Sequence, residues 1–456
     1  LTKARKNAAK PLGRKIQEVH DMSDYVKEVR EALRKEIAEL SKIAWLFSQH
    51  PEKDFTRKSP LQFSKLVESL ICMGGNSIQL ELLQLFHMNQ KTPTTSAFVQ
   101  QRGKIMPEAF EYLFQQFNAH YSCWKTFEGY RLLACDGSDI VYRSDAPDTN
   151  NYISNKDGTG YYAQHLNALY DVCSRRYVDA VLQNGHDKNE VDAAVKMVDR
   201  VDVNHQPTIL LADRGYESYN LLAHAHEHGL FYLIRAKKEG IMTACKPDHQ
   251  NEFDMPVTRT LTRRRMNSIR DSVGSYTFLS RDRRFDFCDW DQNLFYKLDF
   301  RAVCIRLPSG ELEYLLTNLP PESWPTQRLK SLYHLRWGIE TSFRELKYAI
   351  GLNNFHSKKA AFISQEIFAR LILHNVCEII ILHVMSFQDA NRGKGLYQLN
   401  FTTAIQICKS YLVDAVDPPP DIIALMQKYV LPVRPNRCGS RKVKPKSAPS
   451  FLYRVA

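Results

Sequence analysis

Two short strand-like runs each lead directly into an aspartate, and this repeat constrains the fold more than any other feature. Arg131 to Cys135 leads into Asp136-Gly137-Ser138, and Thr208 to Ala212 leads into Asp213-Arg214-Gly215-Tyr216. Between them, Leu166 to Cys173 and Arg176 to Gln183 read as two further strands, close enough to pair antiparallel. Asn189 to Val201 has helical spacing, and so does the stretch from Tyr216 to Gly229. Phe231 to Ala236 returns to a strand pattern. A strand meander followed by helix, strand, helix and strand is an α/β order. In open α/β sheets, ligand sites form at the carboxyl ends of strands. Each aspartate is therefore a candidate for such a site or, in the commoner role, a turn or N-cap residue.

The flanks read differently. Val26, Val29, Leu33, Ile37, Leu40 and Phe47 recur at helical spacing, and helical runs continue to about residue 125. Thr92-Pro93-Thr94-Thr95-Ser96 is a turn with N-cap residues. The short helix after it carries Gln100, Gln101, Arg102 and Lys104. Helix, turn and polar helix fit a helix-turn-helix DNA reader, or an ordinary helical hairpin. Residues 241–318 are rich in Thr, Arg and aromatics and read as a β-rich insertion. Pro418-Pro419-Pro420 reads as a linker, and the tail from Val433 is basic without a single acid. The expected layout is a helical DNA-binding region 1–125, a core 126–240, the insertion 241–318, the core's second part 319–390, and a helical and basic region 391–456.

Charge and composition narrow the class. Of the residues, 62 are Lys or Arg against 50 Asp or Glu, a net charge of +12, which favours a polyanionic partner. At 44% hydrophobic and 25% charged, the chain is not mainly disordered. The most apolar stretch, Ala369 to Met385, is interrupted by Arg370, His374, Asn375, Glu378 and His383. A membrane span is therefore not expected. The N-terminus is basic without an apolar core, unlike a secretory signal. Leu1 in place of Met points to a fragment or an alternative start codon. The ten cysteines include no Cys-x-x-Cys, so reduced thiols in a cytoplasmic protein are expected.

A long helix is expected from about Thr326 to Ile350, stopped by Gly351. At 100° per residue, Tyr333, Arg336, Glu340 and Lys347 share a stripe about 60° wide beside the apolar face. Such a stripe fits a routine Arg–Glu surface pair or a row of groups facing a cleft. If Asp136, Asp213 and Glu340 converge, their charges repel unless cations lie between them. An oxygen-only donor set favours Mg2+ or Mn2+. Two such ions suit in-line phosphoryl displacement.

Asp136-Gly137-Ser138, Asp213-x-Gly215-Tyr216 and Tyr333-x2-Arg336-x3-Glu340-x6-Lys347, in that order, resemble the DDE transposases of bacterial insertion sequences. The last motif is similar to the Tyr-Arg-Glu-Lys signature of the insertion-sequence-four family. The resemblance implies an RNase H-like α/β core with a β-rich insertion. It implies that Asp136, Asp213 and Glu340 hold two Mg2+ ions, with Mn2+ as substitute. It also implies that Tyr333, Arg336 and Lys347 contact DNA phosphates. Relatives cut transposon ends, often through a hairpin, and join them to target DNA. They act as dimers on paired inverted-repeat ends, in the bacterial cytoplasm at the nucleoid. Some stack a flipped base on a tryptophan of the insertion, a role open to Trp290. A core or edge aromatic is its plainer reading.

Three further residues carry expectations. His224 and His228 share a helix face but show no partner acid in the sequence, so a solvated face is expected. Asp139 is an alternative ligand to Asp136, and Asp171 reads as structural. The rivals to a transposase are a transposase-derived DNA-binding regulator, an RNase H-like nuclease without strand transfer, and, more remotely, a metal-dependent phosphatase.

Overall fold

The protein is described by a computed structural model. It covers residues 12–122, 125–144, 147–155, 160–204, 206–244, 251–264, 276–386, 397–413 and 421–432, with side chains from residue 24. The Pro418–Pro420 run and the basic tail lie outside the described residues. Contacts divide the chain into two compact units, Cys123–Arg344 and a helical unit of Leu1–Ser122 with Glu345–Ala456.

The first unit is built on one ten-stranded mixed sheet. Its strands are β1 (Arg131–Tyr142), β2 (Tyr152–Ser154), β3 (Gly160–Asp171), β4 (Arg176–Asn184), β5 (Thr208–Ala212), β6 (Phe231–Ala236), β7 (Phe253–Thr262), β8 (Tyr276–Phe278), β9 (Phe295–Arg306) and β10 (Leu312–Thr317). Both β2 and β4 pair with β3, and the order continues β3-β1-β5-β6-β10-β9-β7-β8. β5 is buried throughout, as a central parallel strand must be. Leu133 and Cys135, Leu210 and Ala212, and Tyr232 and Ile234 line one face with the period of two that strands impose. Helices Glu190–Val198 and Tyr219–Glu227 cover that face through Ala194, Val198, Leu221 and Leu222. The strands of the 241–318 block add to this same sheet, since β10 pairs β6 antiparallel.

Two local expectations need correction. β1 does not end at Asp136; it continues to Tyr142 because β3 pairs it along that whole length. What ends at Cys135 is the parallel pairing with β5. The long helix is also broken. Helix Thr326–His334 gives way to helix Trp337–Glu345, and Leu346–Ile350 is a π-turn ended by Gly351 at φ +94°. Across the break, the amides of Leu335, Arg336, Gly338 and Ile339 bond carbonyls three residues back. Such 3-10 bonding turns about 120° per residue, so the uniform stripe does not hold across it.

The helical unit gathers the N-terminal helices around helix Ala360–Ser386, although the sequence suggested separate domains. That helix is long and apolar enough to cross a membrane, but 89% of its most apolar window is buried within the protein. Its polar side chains bond neighbouring segments: Asn375 donates to Asn118 on helix Glu108–His120 at 2.8 Å, and Arg370 donates to the carbonyl of Gly74, just past helix Phe63–Cys72, at 3.0 Å.

Candidate active site

The register of the central strands brings the two aspartates side by side. Cys135 lies opposite Ala212 in the last rung of the parallel β1–β5 ladder. Asp136 and Asp213 are the next residues on the two strands. Asp213 starts a 3-10 turn, and its carboxylate accepts from the Gly215 amide at 2.7 Å. Asp136 accepts from the Gly137 amide at 2.8 Å.

Glu340 comes from helix Trp337–Glu345, which packs on β3 and β4. Tyr177 and Ser342 share a hydrogen bond of 2.9 Å, and the Tyr177 and Phe343 rings lie 6.0 Å apart. A Cβ at Gly338 would sit 3.2 Å from Val172, so the absent side chain allows this close approach. Arg336 then links the acids. It donates to Glu340 at 2.8 Å and stands 3.8 Å from Asp136. Its guanidinium also lies 5.7 Å from the Tyr333 ring and 5.4 Å from the Trp337 ring, within cation–π range.

Burial pushes the Asp136 carboxyl up to about 6. The Gly137 amide and Arg336 oppose this, and the charges of Asp213 and Glu340 add to it. A site that resists the ionisation of its own carboxylates is one that a divalent cation would relieve. The donor set is oxygen only, which fits a hard divalent ion. Tyr333 is buried beside this cluster, and its hydroxyl has no hydrogen-bond partner among the described residues. Burial pushes its phenol up to about 12.

A family model described as the transposase DDE domain matches residues 128–376, more than half of the chain. The chain belongs to the DDE transposase family. It is similar to the transposase InsG of insertion sequence element IS4 from Escherichia coli, with 23% identity over 380 residues, 78% of each chain. It is also similar to the transposase of insertion sequence element IS421 from Escherichia coli, with 30% identity over 79 residues, 17% of this chain and 21% of that relative. Among solved structures it resembles the piggyBac transposase synaptic complex with hairpin DNA at 10% identity and a TM-score of 0.42. That match covers 87% of this chain and 79% of the other. DDE transposases are DNA-cleaving and strand-transferring enzymes that use divalent metal ions, and their core is an RNase H-like mixed sheet with helices.

Other expected site residues of this transposase are placed differently. Arg102 is fully buried. It donates to Gln365 at 2.7 Å, to Glu366 at 2.9 Å and to the Phe362 carbonyl at 2.6 Å. An arginine so enclosed cannot read DNA, contrary to the DNA-binding role expected for it. Lys104 is partly exposed, 3.7 Å from Asp54. Lys347 lies in the π-turn and belongs to the helical unit. Trp290 is not a core residue. It is 43% exposed, with the guanidinium groups of Arg281 and Arg263 at 5.1 and 5.8 Å from its ring.

Beside the acidic cluster lie residues that sequence reasoning missed. His165 on β3 bonds Asp139 at 2.6 Å and lies 3.1 Å from Glu190. Lys188 donates to the same Asp139 at 2.8 Å, so Asp139 is engaged in this network. Burial pushes the His165 imidazole down, but its hydrogen bonds to Asp139 and Glu190 outweigh this and raise it. A Cβ on Gly137 would meet His165 Nε2 at 2.5 Å and Glu190 Oε1 at 2.8 Å. The glycine after Asp136 therefore admits this pair to the site's edge. The cross-strand register of Asp139 and His165 was the available signal, and it required the pairing of β1 with β3. Asp171, read as structural, bonds Arg131 at 3.0 Å in full burial.

Proposed function

We propose that this transposase cuts the ends of its element and joins them to target DNA, with Asp136, Asp213 and Glu340 holding two Mg2+ ions, or Mn2+ in their place. The observation that carries the reading is the β1–β5 register, which makes Asp136 and Asp213 neighbours, with Glu340 tied to Asp136 through Arg336. When bound, the ions would acidify a water or a DNA 3′-hydroxyl and offset charge on the leaving oxygen. The protein's own groups hold the DNA. Arg336 presents a planar fork suited to a phosphate, and its Nε has no partner among the described residues. The Tyr333 hydroxyl is a second phosphate donor, and Lys347 a third contact.

Trp290 with Arg281 forms an exposed aromatic and basic patch on which an extruded base can stack, and the buried Arg263 beneath it is held by the Cys288, Ser280, Arg283 and Phe285 carbonyls. The partner is double-stranded DNA, both inverted-repeat ends and target, and the working form is a dimer on paired ends. The helical N-terminal region, with Lys104, contributes to DNA binding. Sequencing the cut ends tests for a hairpin route, against which open flanking ends throughout would count. The decisive experiment supplies a precut end with a free 3′-hydroxyl and a target plasmid. Metal-dependent joined product is the expected result. Hydrolysis without joining would make the protein a nuclease, and DNA binding without either reaction would make it a regulator.

A further inference from the structure

Away from the acids of the active site, Asp199, His224 and His228 converge. Each offers one ligand atom, and these atoms lie within 4.8 Å of one another. Asp199 Oδ1 is 2.7 Å from His224 Nδ1 and 3.1 Å from His228 Nε2. The sequence led to a solvated face here. That expectation fails because the acids come from distant segments, Asp199 at the end of helix Glu190–Val198 and Asp286 from the loop before β9.

Asp286 is what gives the cluster its chemistry. Its Oδ2 lies 3.0 Å from His224 Nε2 and also accepts from Asn220 at 2.9 Å, while Oδ1 accepts from Arg284 at 3.0 Å. The Phe287 ring sits edge-on at 4.7 Å from the His224 ring. The imidazole is thus fixed between two carboxylates. A neutral ring donates to only one of them. In the tautomer with Nε2–H on Asp286, Nδ1 turns a lone pair toward Asp199, an arrangement that a cation between them would satisfy. A carboxylate behind a ligating histidine is the usual outer partner in metal sites.

We propose that Asp199, His224 and His228 bind a divalent transition metal of the zinc class. Two imidazole nitrogens and one carboxylate oxygen form a zinc-type donor set that Mg2+ does not favour. Tetrahedral zinc with bonds of about 2.0–2.2 Å separates its ligand atoms by roughly 3.3–3.5 Å. The observed 2.7 and 3.1 Å therefore need only a small opening. Asp199 and His228 are partly exposed, which leaves the fourth position to solvent. The site joins the end of helix Glu190–Val198 to helix Tyr219–Glu227, which follows Asp213. Through Asp286 it reaches the loop that bears Trp290. The metal braces the scaffold behind the second catalytic aspartate and is distinct from the ions at that aspartate.

The test titrates the full chain with Co2+ in excess Mg2+, so that oxygen-only sites stay filled. One equivalent should bind with the intense visible bands of a four-coordinate N/O site, and Zn2+ should displace it. His228→Gln and Asp199→Asn should lose those bands while keeping the far-UV CD spectrum. Asp286→Asn should weaken binding by about 10-fold or more, and Asp136→Asn should leave it intact. Absence of the bands in the wild-type chain would overturn the proposal and leave His224 as a hydrogen-bonded link between Asp199 and Asp286. Bands that survive His228→Gln would overturn it too, by placing the metal elsewhere.

Discussion

Arg102 and Glu366 meet at 2.9 Å with both side chains 1% exposed, whereas Arg336 and Glu340 meet at 2.8 Å with 7% and 33% exposure. The same two residue types do opposite jobs. In the helical unit Arg102 donates to three acceptors, and Glu366 also accepts from the His356 amide at 3.1 Å. That pair is saturated and closed to solvent, so it can serve only structure. In the sheet unit Arg336 Nε has no partner among the described residues, and the partly exposed Glu340 lies beside two more acids. Incomplete satisfaction at a half-open site leaves groups available for a ligand. The pair proposed for catalysis differs from the closed one by what it lacks, since the ion pair itself is common to both regions.

The largest expected effect breaks the closed pair. Arg102→Ala leaves Glu366 buried and uncompensated, and should cost about 3–5 kcal/mol in denaturant unfolding. A cost under about 1 kcal/mol would show that the pair is not sealed. Acid should act on the same pair. Burial pushes the Glu366 carboxyl up, but Arg102 and the His356 hydrogen bond outweigh it and hold it at about 2, against an ordinary 4.5. A depressed carboxylate contributes its stability above pH 4.5 and loses it as pH falls toward 2. The melting temperature should drop through that window, and Glu366→Gln should flatten the drop.

The open pair should respond in reverse. Arg336→Ala should cost only about 1–2 kcal/mol of stability and about 10²-fold in joining rate. It should also let divalent ions raise the melting temperature more than in wild type, because the acids lose their internal cation. Smallest in stability is Trp290→Ala, within about 0.5 kcal/mol. It should nevertheless abolish quenching of a fluorescent base analogue placed at the cut end. Retained quenching would remove Trp290 from the DNA path.

These contrasts also show what the sequence could reveal. Asp213 stood out because it follows β5, and Asp136 because it follows the part of β1 that pairs β5 in parallel, although β1 itself runs on to Tyr142. Glu340 was legible through its motif, although the helical arithmetic behind its stripe fails at the 3-10 break around Leu335 and Arg336. Arg102 misled because its stretch is polar and its acceptors lie on helix Ala360–Ser386, far away in sequence. His224 misled for the same reason, with Asp199 and Asp286 distant on either side. Local chemistry shows in local sequence, whereas the burial of a polar residue depends on segments that only the fold brings together.

The central claim is that Asp136, Asp213 and Glu340 act together through bound metal. Glu340→Gln tests it most directly, because this side chain is partly exposed and its removal spares the core. The variant should keep the wild-type melting temperature and DNA affinity, yet lose metal-dependent cleavage and joining at transposon ends. Cleavage by Glu340→Gln at the wild-type rate, with the same metal dependence, would contradict the account.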